Sequence, residues 1–319
     1  MTLHGLLTEG TKKLDRAGVL EAKLDARRLL LEAFQTDMAH FLMNQMQQLP
    51  GDQTTEQAVA DYRAMIDRRC KRIPIQYILG HQEFMGLTFR VNGHVLIPRQ
   101  DTETLVEQVL AEQMGKRQDW QEKRVLDLCT GSGCIAISLM AKGGFFNVTA
   151  ADLSENALQA AKENAEDLLE DTEIVAENWG EEVLGRGTSG EKENAGRSHR
   201  KLRLCKGDLF QALEPGDKFD ILVSNPPYIP TSVIGELQPE VRDYEPSMAL
   251  DGCSDGKEFY RRIAGEAKNW LNLGAAVYLE IGYDQGEAVC QLFRQNDFKN
   301  IRVVKDLPGL DRVIRADYV

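Results

Sequence analysis

From Asp101 onward, short apolar runs alternate with helical runs, and this alternation restricts the possible folds more than any other feature of the chain. Residues 125–129, 148–152, 202–208, 219–225 and 275–281 read as strands. Helical stretches such as 155–169 and 257–271 separate several of them. Each helix carries the chain back along the sheet, so consecutive strands run parallel and the sheet is covered by helices. The predicted fold class is therefore α/β. Residues 300–307 and 312–318 flank Pro308-Gly309 and predict an antiparallel pair at the end.

The first seventy or so residues follow a different rule. Leu3, Leu6, Leu7 and Leu14 recur at helical spacing, residues 21–34 are dense in helix formers, and residues 55–72 place Val59, Tyr62, Ile66 and Arg69 near one stripe. Pro50-Gly51-Asp52 interrupts the pattern. Residues 1–73 are expected to form a small helical bundle. Pro74 ends its last helix. Residues 76–79, 83–91 and 95–97 read as short strands punctuated by Gly80, Gly86 and Asn92-Gly93, so 74–98 is expected to be a β-hairpin linker. Residues 99–319 form the remaining domain. Within it, 170–200 is polar and rich in Gly, Ser and Asn; it reads as a mobile insertion, with a short helix around 179–184.

Length and charge narrow the class. A chain of 319 residues suits one large domain and one small one. No apolar run approaches the length of a membrane span, and the first residues lack a basic-then-apolar signal segment, so a cytoplasmic enzyme is expected. The net charge of -12 argues against a protein that grips nucleic acid by its phosphates. The basic clusters are short: Arg68, Arg69, Lys71 and Arg72, then Arg197, Arg200, Lys201 and Arg203. Both read as solvated surface. The six cysteines form no C-x-x-C pair and the five histidines are scattered, so no metal site is expected.

Two constellations carry chemistry. The first runs from Val125 through Asp127, Cys129, Thr130, Gly131, Ser132, Gly133 and Cys134 to Ala136: a strand, a glycine-rich turn and a helix start. The glycines permit close backbone approach to a ligand, and helix N-terminal amides face what is bound. Asp152 ends the next strand, where a carboxylate can accept both hydroxyls of a ribose. Gly131-x-Gly133-x-x-Ala136 also satisfies the dinucleotide fingerprint, so alone it indicates only a nucleotide-like cofactor.

The second constellation is Asn225-Pro226-Pro227-Tyr228, closing the strand at 219–225. Pro226 biases Asn225 toward an extended backbone, and the two prolines stiffen the turn. The Asn225 amide oxygen and the Pro226 carbonyl can accept the two hydrogens of a planar NH2 group. Tyr228 offers a flat face. Together they can aim a poorly nucleophilic amide nitrogen at an electrophile.

In this setting the chain resembles the release-factor glutamine methyltransferase family (PrmC/HemK). The resemblance runs through Ile97-Pro98-Arg99-Gln100-Asp101-Thr102-Glu103, the glycine turn and Asn225-Pro226-Pro227-Tyr228. It continues through Glu240-Val241, Tyr244-Glu245-Pro246, Ala249-Leu250-Asp251-Gly252, Asp255-Gly256, Glu280-Ile281-Gly282, Gln285-Gly286 and Asp311-Arg312-Val313. It implies a seven-stranded, Rossmann-like class I methyltransferase domain, a helical N-terminal domain that helps hold a class-1 peptide chain release factor, and a hairpin between them. It further implies S-adenosyl-L-methionine as cofactor, held by Thr130, Gly131, Ser132, Gly133, Cys134 and Asp152, with Asp208 and Leu209 near its adenine and Asn225 close by. Asn225, Pro226, Pro227 and Tyr228 would hold the glutamine of a Gly-Gly-Gln motif. The enzyme would act as a monomer, without direct contact to nucleic acid or membrane. Gln100 stands where the family commonly has Pro, and Leu209 where some members have an aromatic residue.

Three other readings compete, the weakest being a non-catalytic binding module. An adenine-N6 methyltransferase on DNA or RNA uses the same tetrapeptide, but requires a basic groove or a target-recognition domain. A nicotinamide oxidoreductase meets the glycine fingerprint and leaves Asn225-Pro226-Pro227-Tyr228 unexplained.

Overall fold

A computed structural model describes residues 1–114, 120–179 and 200–319. The chain divides into two units, Met1–His81 with Leu237–Tyr244, and Gln82–Glu236 with Glu245–Val319.

The first unit holds α1 (Leu3–Arg16), α2 (Ala22–Ala33), α3 (Met38–Asn44), α4 (Gln53–Cys70) and α5 (Ile75–Leu79). Side chains of Thr2 and Asp52 cap α1 and α4 by accepting backbone N–H groups of Gly5 and Thr55, which satisfies donors that have no partner within the helix. The leucines of α1, Leu29 and Leu30 of α2, and Tyr62 and Ile66 of α4 form the core. Arg69 completes the α4 stripe and is also buried, because Asp25 Oδ2 accepts its Nε–H at 2.7 Å. Glu240, on α10 (Pro239–Arg242), accepts from Arg69 Nη2 at 2.8 Å and from Arg72 Nε at 2.7 Å. Two of the four basic residues at the end of α4, Arg69 and Arg72, are therefore paired within their own unit, whereas Arg68 and Lys71 are exposed.

The segment expected to be a hairpin linker differs in detail. Residues 76–79 lie in helix α5, which Gly80 ends in a left-handed conformation. The strands are β1 (His81–Phe84) and β2 (Leu87–Arg90). Their turn is Met85-Gly86, both at positive φ; two left-handed residues match the strand twist. Asn92-Gly93 lies beyond the hairpin, and residues 95–97 form no strand. Asn-Gly is the stronger local signal, but the buried Phe84 and Phe89, packed edge to face, fix the turn seven residues earlier.

In the second unit α6 (Gln100–Gln113) precedes the sheet strands β3 (Arg124–Leu128), β4 (Asn147–Asp152), β5 (Thr172–Glu177), β6 (Arg200–Lys206), β7 (Phe219–Ser224), β8 (Leu271–Glu280), β9 (Lys299–Lys305) and β10 (Asp311–Tyr318). Between them lie α7 (Cys134–Gly143), α8 (Glu155–Leu168), α9 (Thr231–Ile234), α11 (Glu258–Glu266) and α12 (Gly286–Gln295). The spatial order is β5-β6-β4-β3-β7-β8-β10-β9, parallel except for β10, which is antiparallel to both its neighbours. The predicted closing pair around Pro308-Gly309 is β9 and β10. Apolar residues alternate between faces: Val125, Ile221 and Val223 meet α6, α7 and α8, whereas Leu126, Leu128 and Leu222 meet α11 and α12.

Among the described residues this sheet has eight strands where the resemblance implies seven. The extra strand is β5, inside the segment expected to be an insertion. Its six-residue ladder with β6 is reinforced by Arg203 to Glu177 at 2.7 Å, and Trp179 Nε1 donates to the Leu204 carbonyl at 2.9 Å. The polar composition of 170–177 fits a strand at the sheet edge. The rest of that insertion, and most of the helix expected around 179–184, lie outside the described residues.

Candidate active site

The chain leaves β3 toward β4 on one side and later returns to β7 on the other. Between β3 and β7 the strand order reverses, which opens a crevice at the carboxyl ends of the strands. A cavity of about 340 Å³ occupies it. Its wall includes Gly131, Asp152, Asp208, Leu209, Asn225 and Pro227, so six of the residues singled out from sequence face one space. Thr130, Ser132, Gly133, Cys134, Pro226 and Tyr228 do not line it; they form its supports.

The glycine turn is built by conformation and close packing. Cys129, Gly131 and Gly133 all have positive φ. A Cβ on Gly131 would meet nothing within 4 Å, so this backbone is open on the cavity side. A Cβ on Gly133 would stand 3.1 Å from Cβ of Ala161 on α8, so glycine there lets helix and turn close together. Asp152 ties the turn down: Oδ2 accepts Gly131 N–H at 2.9 Å and Oδ1 accepts Ser154 N–H at 2.8 Å. Each oxygen keeps a lone pair for a ligand hydroxyl. Burial raises the Asp152 pKa, opposed by these backbone N–H bonds.

Beneath the turn sits Asp127, fully buried where strand alternation calls for an apolar side chain. Its Oδ2 accepts the Thr130 hydroxyl at 2.7 Å and Ala136 N–H at 3.2 Å. Oδ1 has no hydrogen-bond partner among the described residues. Burial pushes its pKa up to about 7. A charge in the middle of an apolar strand was the available signal for this residue.

Across the cavity, Asn225 follows β7. The turn after it is gripped from several directions. Ile229 N–H donates to the Leu250 carbonyl at 3.0 Å, and Gly252 N–H to the Ile229 carbonyl at 2.8 Å. Gln285 Nε2 donates to the Tyr228 carbonyl at 3.0 Å, while its Oε1 accepts Gly282 N–H at 3.0 Å. Arg99 donates to Glu245 at 2.6 Å just before Pro246 and Met248 reach the cavity wall. The scattered motifs at 97–103, 245–256, 280–286 and 311–313 thus form the surround of one tetrapeptide. Tyr228 packs against the core with its hydroxyl 3.4 Å from Glu280 Oε1. Burial raises the pKa of that hydroxyl.

Sequence reasoning missed several wall residues. His94 and Val95 contribute from the loop after the hairpin, and Phe259 and Arg262 from α11. Arg262 pairs with Asp208 at 2.9 Å at the same wall. Helical periodicity alone could not reveal which face of α11 points inward. Among the described residues no cluster of His, Cys, Asp and Glu is placed to hold a metal ion, and no helix is long and apolar enough to cross a membrane.

A Rossmann-like sheet with this strand order and this pairing of a glycine turn with Asn-Pro-Pro-Tyr defines a class I methyltransferase fold. Residues 5–80 match the PrmC N-terminal domain family, and residues 102–189 match the methyltransferase small domain family. Release factor glutamine methyltransferase of Geobacter sulfurreducens is 38% identical, covering 94% of this chain and 91% of that protein. The protein of the same description from Clostridium botulinum is 35% identical over 99% of both chains. A solved protein-(glutamine-N5) methyltransferase (release factor-specific) from Alicyclobacillus acidocaldarius is 30% identical, covering 72% of this chain and 98% of that one, with a TM-score of 0.38. The chain belongs to the release factor glutamine methyltransferase family.

Proposed function

We propose that this protein methylates the side-chain amide nitrogen of the glutamine in the Gly-Gly-Gln motif of class-1 peptide chain release factors, with S-adenosyl-L-methionine as methyl donor. The observation that carries the reading is that Asp152, the open Gly131 backbone and Asn225 line one and the same cavity. The chemistry of that lining fits the cofactor. Asp152 has acceptor capacity for ribose hydroxyls, Leu209 and Phe259 give apolar surface for an adenine, and the unpartnered Asp127 oxygen leaves negative potential beneath the turn. Thr130, Gly131, Ser132, Gly133 and Cys134 shape the cradle. The cofactor would supply a methyl carbon made electrophilic by a sulfonium.

The protein's own part is positional. Asn225 Oδ1 and the Pro226 carbonyl accept the two hydrogens of the glutamine amide, drawing electron density toward nitrogen and fixing its direction. The tetrapeptide holds this geometry before substrate arrives, because Gln285, Gly252 and Leu250 fix its backbone. The positive charge that develops on nitrogen is relieved by loss of one amide proton to water once the N–C bond has formed. The helical unit gives the release factor a second hold; Leu42, Met43 and Met46 expose 58%, 73% and 72% of their surface there.

The test is incubation with isotopically labelled S-adenosyl-L-methionine and either a purified release factor or an adenine-containing oligonucleotide, followed by mass mapping. Label on the Gly-Gly-Gln glutamine supports the reading. Label on the oligonucleotide alone, or on another residue, overturns it.

A further inference from the structure

The buried carboxyl group of Glu280 has no part in the chemistry described above, yet it adjoins both ends of the tetrapeptide. Glu280 closes β8, next to β7, with Ser224 registered opposite Leu279. It is 1% exposed. Its Oε1 faces the Tyr228 hydroxyl at 3.4 Å, and the neighbouring Thr102 hydroxyl favours the charged form of the carboxyl. Thr102, 2% exposed in the first turn of α6, in turn receives Asn225 Nδ2–H at 3.3 Å. Oε2 has no hydrogen-bond partner among the described residues. A carboxyl kept only to stabilise the fold is normally fully satisfied; one oxygen left bare beside the site indicates a polar group retained for another reason.

We propose that Thr102 and Glu280 are positioning residues that fix which way the Asn225 amide points. The inference rests on the reading of Asn225 given above. An ionised carboxylate can only accept. Thr102 must then donate its one hydroxyl hydrogen to Glu280, and its oxygen is left to accept from Asn225 Nδ2. That places Nδ2 toward Thr102 and turns Oδ1, the acceptor the glutamine needs, toward the cavity. A protonated Glu280 reverses the relay: it donates to Thr102, Thr102 donates to Asn225 Oδ1, and the wrong end of the amide faces the substrate.

The relay is sensitive to pH. Burial, opposed chiefly by Thr102 and then by Arg312, pushes the Glu280 carboxyl up to about 7. The charged and titratable groups around it are Arg312 from β10, Asp101 from α6, Tyr228 after β7, Tyr260 from α11 and Cys134 at the start of α7. Arg312 is shared with Asp101 at 3.2 Å and Asp306 at 3.0 Å, so it neutralises Glu280 only in part.

The experiment combines single-turnover methylation of release factor at saturating cofactor with NMR of the labelled Asn225 side-chain amide, both from pH 5.5 to 8.5. The variants are Thr102→Val, Thr102→Ser and Glu280→Gln. We expect the wild-type rate to rise with pH along a limb near 7, and the Asn225 amide signal to shift over the same range. Thr102→Val should lose about tenfold in rate, the scale of one hydrogen bond, with cofactor affinity unchanged, and its Asn225 signal should no longer titrate. Thr102→Ser should recover both, and Glu280→Gln should abolish the limb. The proposal is overturned by an Asn225 signal in wild type that does not titrate, by a limb that persists in Glu280→Gln, or by Thr102→Val at the wild-type rate. If wild type labels no glutamine, the substrate reading fails, while the NMR titration still decides the relay.

Discussion

Gly252 lies so close against Tyr228 that a Cβ on Gly252 would stand 2.8 Å from the Tyr228 Cα and 2.9 Å from the Pro227 carbonyl oxygen. Its φ is not left-handed, so the constraint is one of space. Backbone atoms of the tetrapeptide cannot retreat as a side chain can. Gly252→Ala should cost about 1–3 kcal/mol by overpacking. It should also reduce methylation by more than the loss of folded protein explains, because the displaced backbone of Pro227 and Tyr228 follows directly on Asn225 and Pro226, which carry the substrate acceptors. Denaturant melts and rates corrected for folded fraction check this. A stable variant with unchanged turnover would show that the turn tolerates displacement.

A second expectation concerns Asp152. Asp152→Ala removes two hydrogen bonds to a charged acceptor on the ligand side, for a loss in S-adenosyl-L-methionine affinity on the order of 2–4 kcal/mol. Part of that loss comes from the turn, since Gly131 and Ser154 N–H groups lose their partner. Asp152→Asn keeps one acceptor and should fall between. Calorimetry separates the three proteins, and equal affinity in all of them would remove Asp152 from the cofactor site.

How much of this was legible in the sequence depends on whether a constraint is local. The glycine turn and Asn225-Pro226-Pro227-Tyr228 were readable because their backbone demands are written into adjacent residues. Helices α1, α2, α4, α8 and α11 were readable from period; α3 is too short to establish one, and α5 was read as a strand. The hairpin turn was misplaced because Met85-Gly86 carries a weaker local signal than Asn92-Gly93, and the aromatic pair that overrides it is a tertiary contact. Strand β5 was hidden for a similar reason: an edge strand has little apolar content, and its ladder and the Arg203–Glu177 pair join residues far apart in the chain. The roles of Asp127, Thr102 and Glu280 needed the fold, since only burial turns an ordinary carboxyl into a perturbed one.

The helical unit offers a stability test. Arg69 lies between Asp25 and Glu240, all three with little exposed side-chain surface. Removing one partner from a buried pair typically costs about 3–5 kcal/mol because the remaining charge is stranded. Glu240→Ala should approach the lower end of that range, as Arg69 keeps Asp25 and Arg72 is partly solvated. The loss should be seen in thermal melting of the full chain, with cofactor affinity unchanged. A change below about 0.5 kcal/mol, the usual size for a surface site, would mean that the cluster is effectively solvated.

The two raised carboxyls make stability depend on pH with a definite sign. Asp127 and Glu280 have ordinary values of 3.8 and 4.5, and burial raises each to about 7 in the folded chain. A raised carboxyl binds its proton more tightly when folded. Its contribution to stability is complete below the ordinary value and is lost as pH rises through 7. Between pH 5 and 8 the melting temperature of Glu280→Gln should therefore fall less steeply than that of wild type, and Asp127→Asn should behave alike. Parallel slopes for wild type and both variants would mean that neither group titrates in this window.

The last prediction concerns Asn225 itself. Its side chain is held by Thr102, and its backbone by the strand end and the proline that follows. The nearby carboxyl of Glu280 contacts Tyr228 and does not line the cavity wall, so it is not placed to take a proton from the substrate. Asn225 would then act by holding and polarising the glutamine amide. Loss of one preorganised partner of this kind costs on the order of 2.7–4 kcal/mol, about a hundred- to a thousandfold in rate. Asn225→Ala should show that loss in single-turnover methylation at saturating cofactor while keeping its melting temperature. Asn225→Asp keeps an acceptor facing the cavity but presents acceptors alone to Thr102, so the Thr102 hydroxyl must choose between it and Glu280. Its rate should fall less than that of Asn225→Ala, and its pH limb should move. A rate for Asn225→Ala within about threefold of wild type, far smaller than the loss of such a hydrogen bond allows, would exclude Asn225 from catalysis.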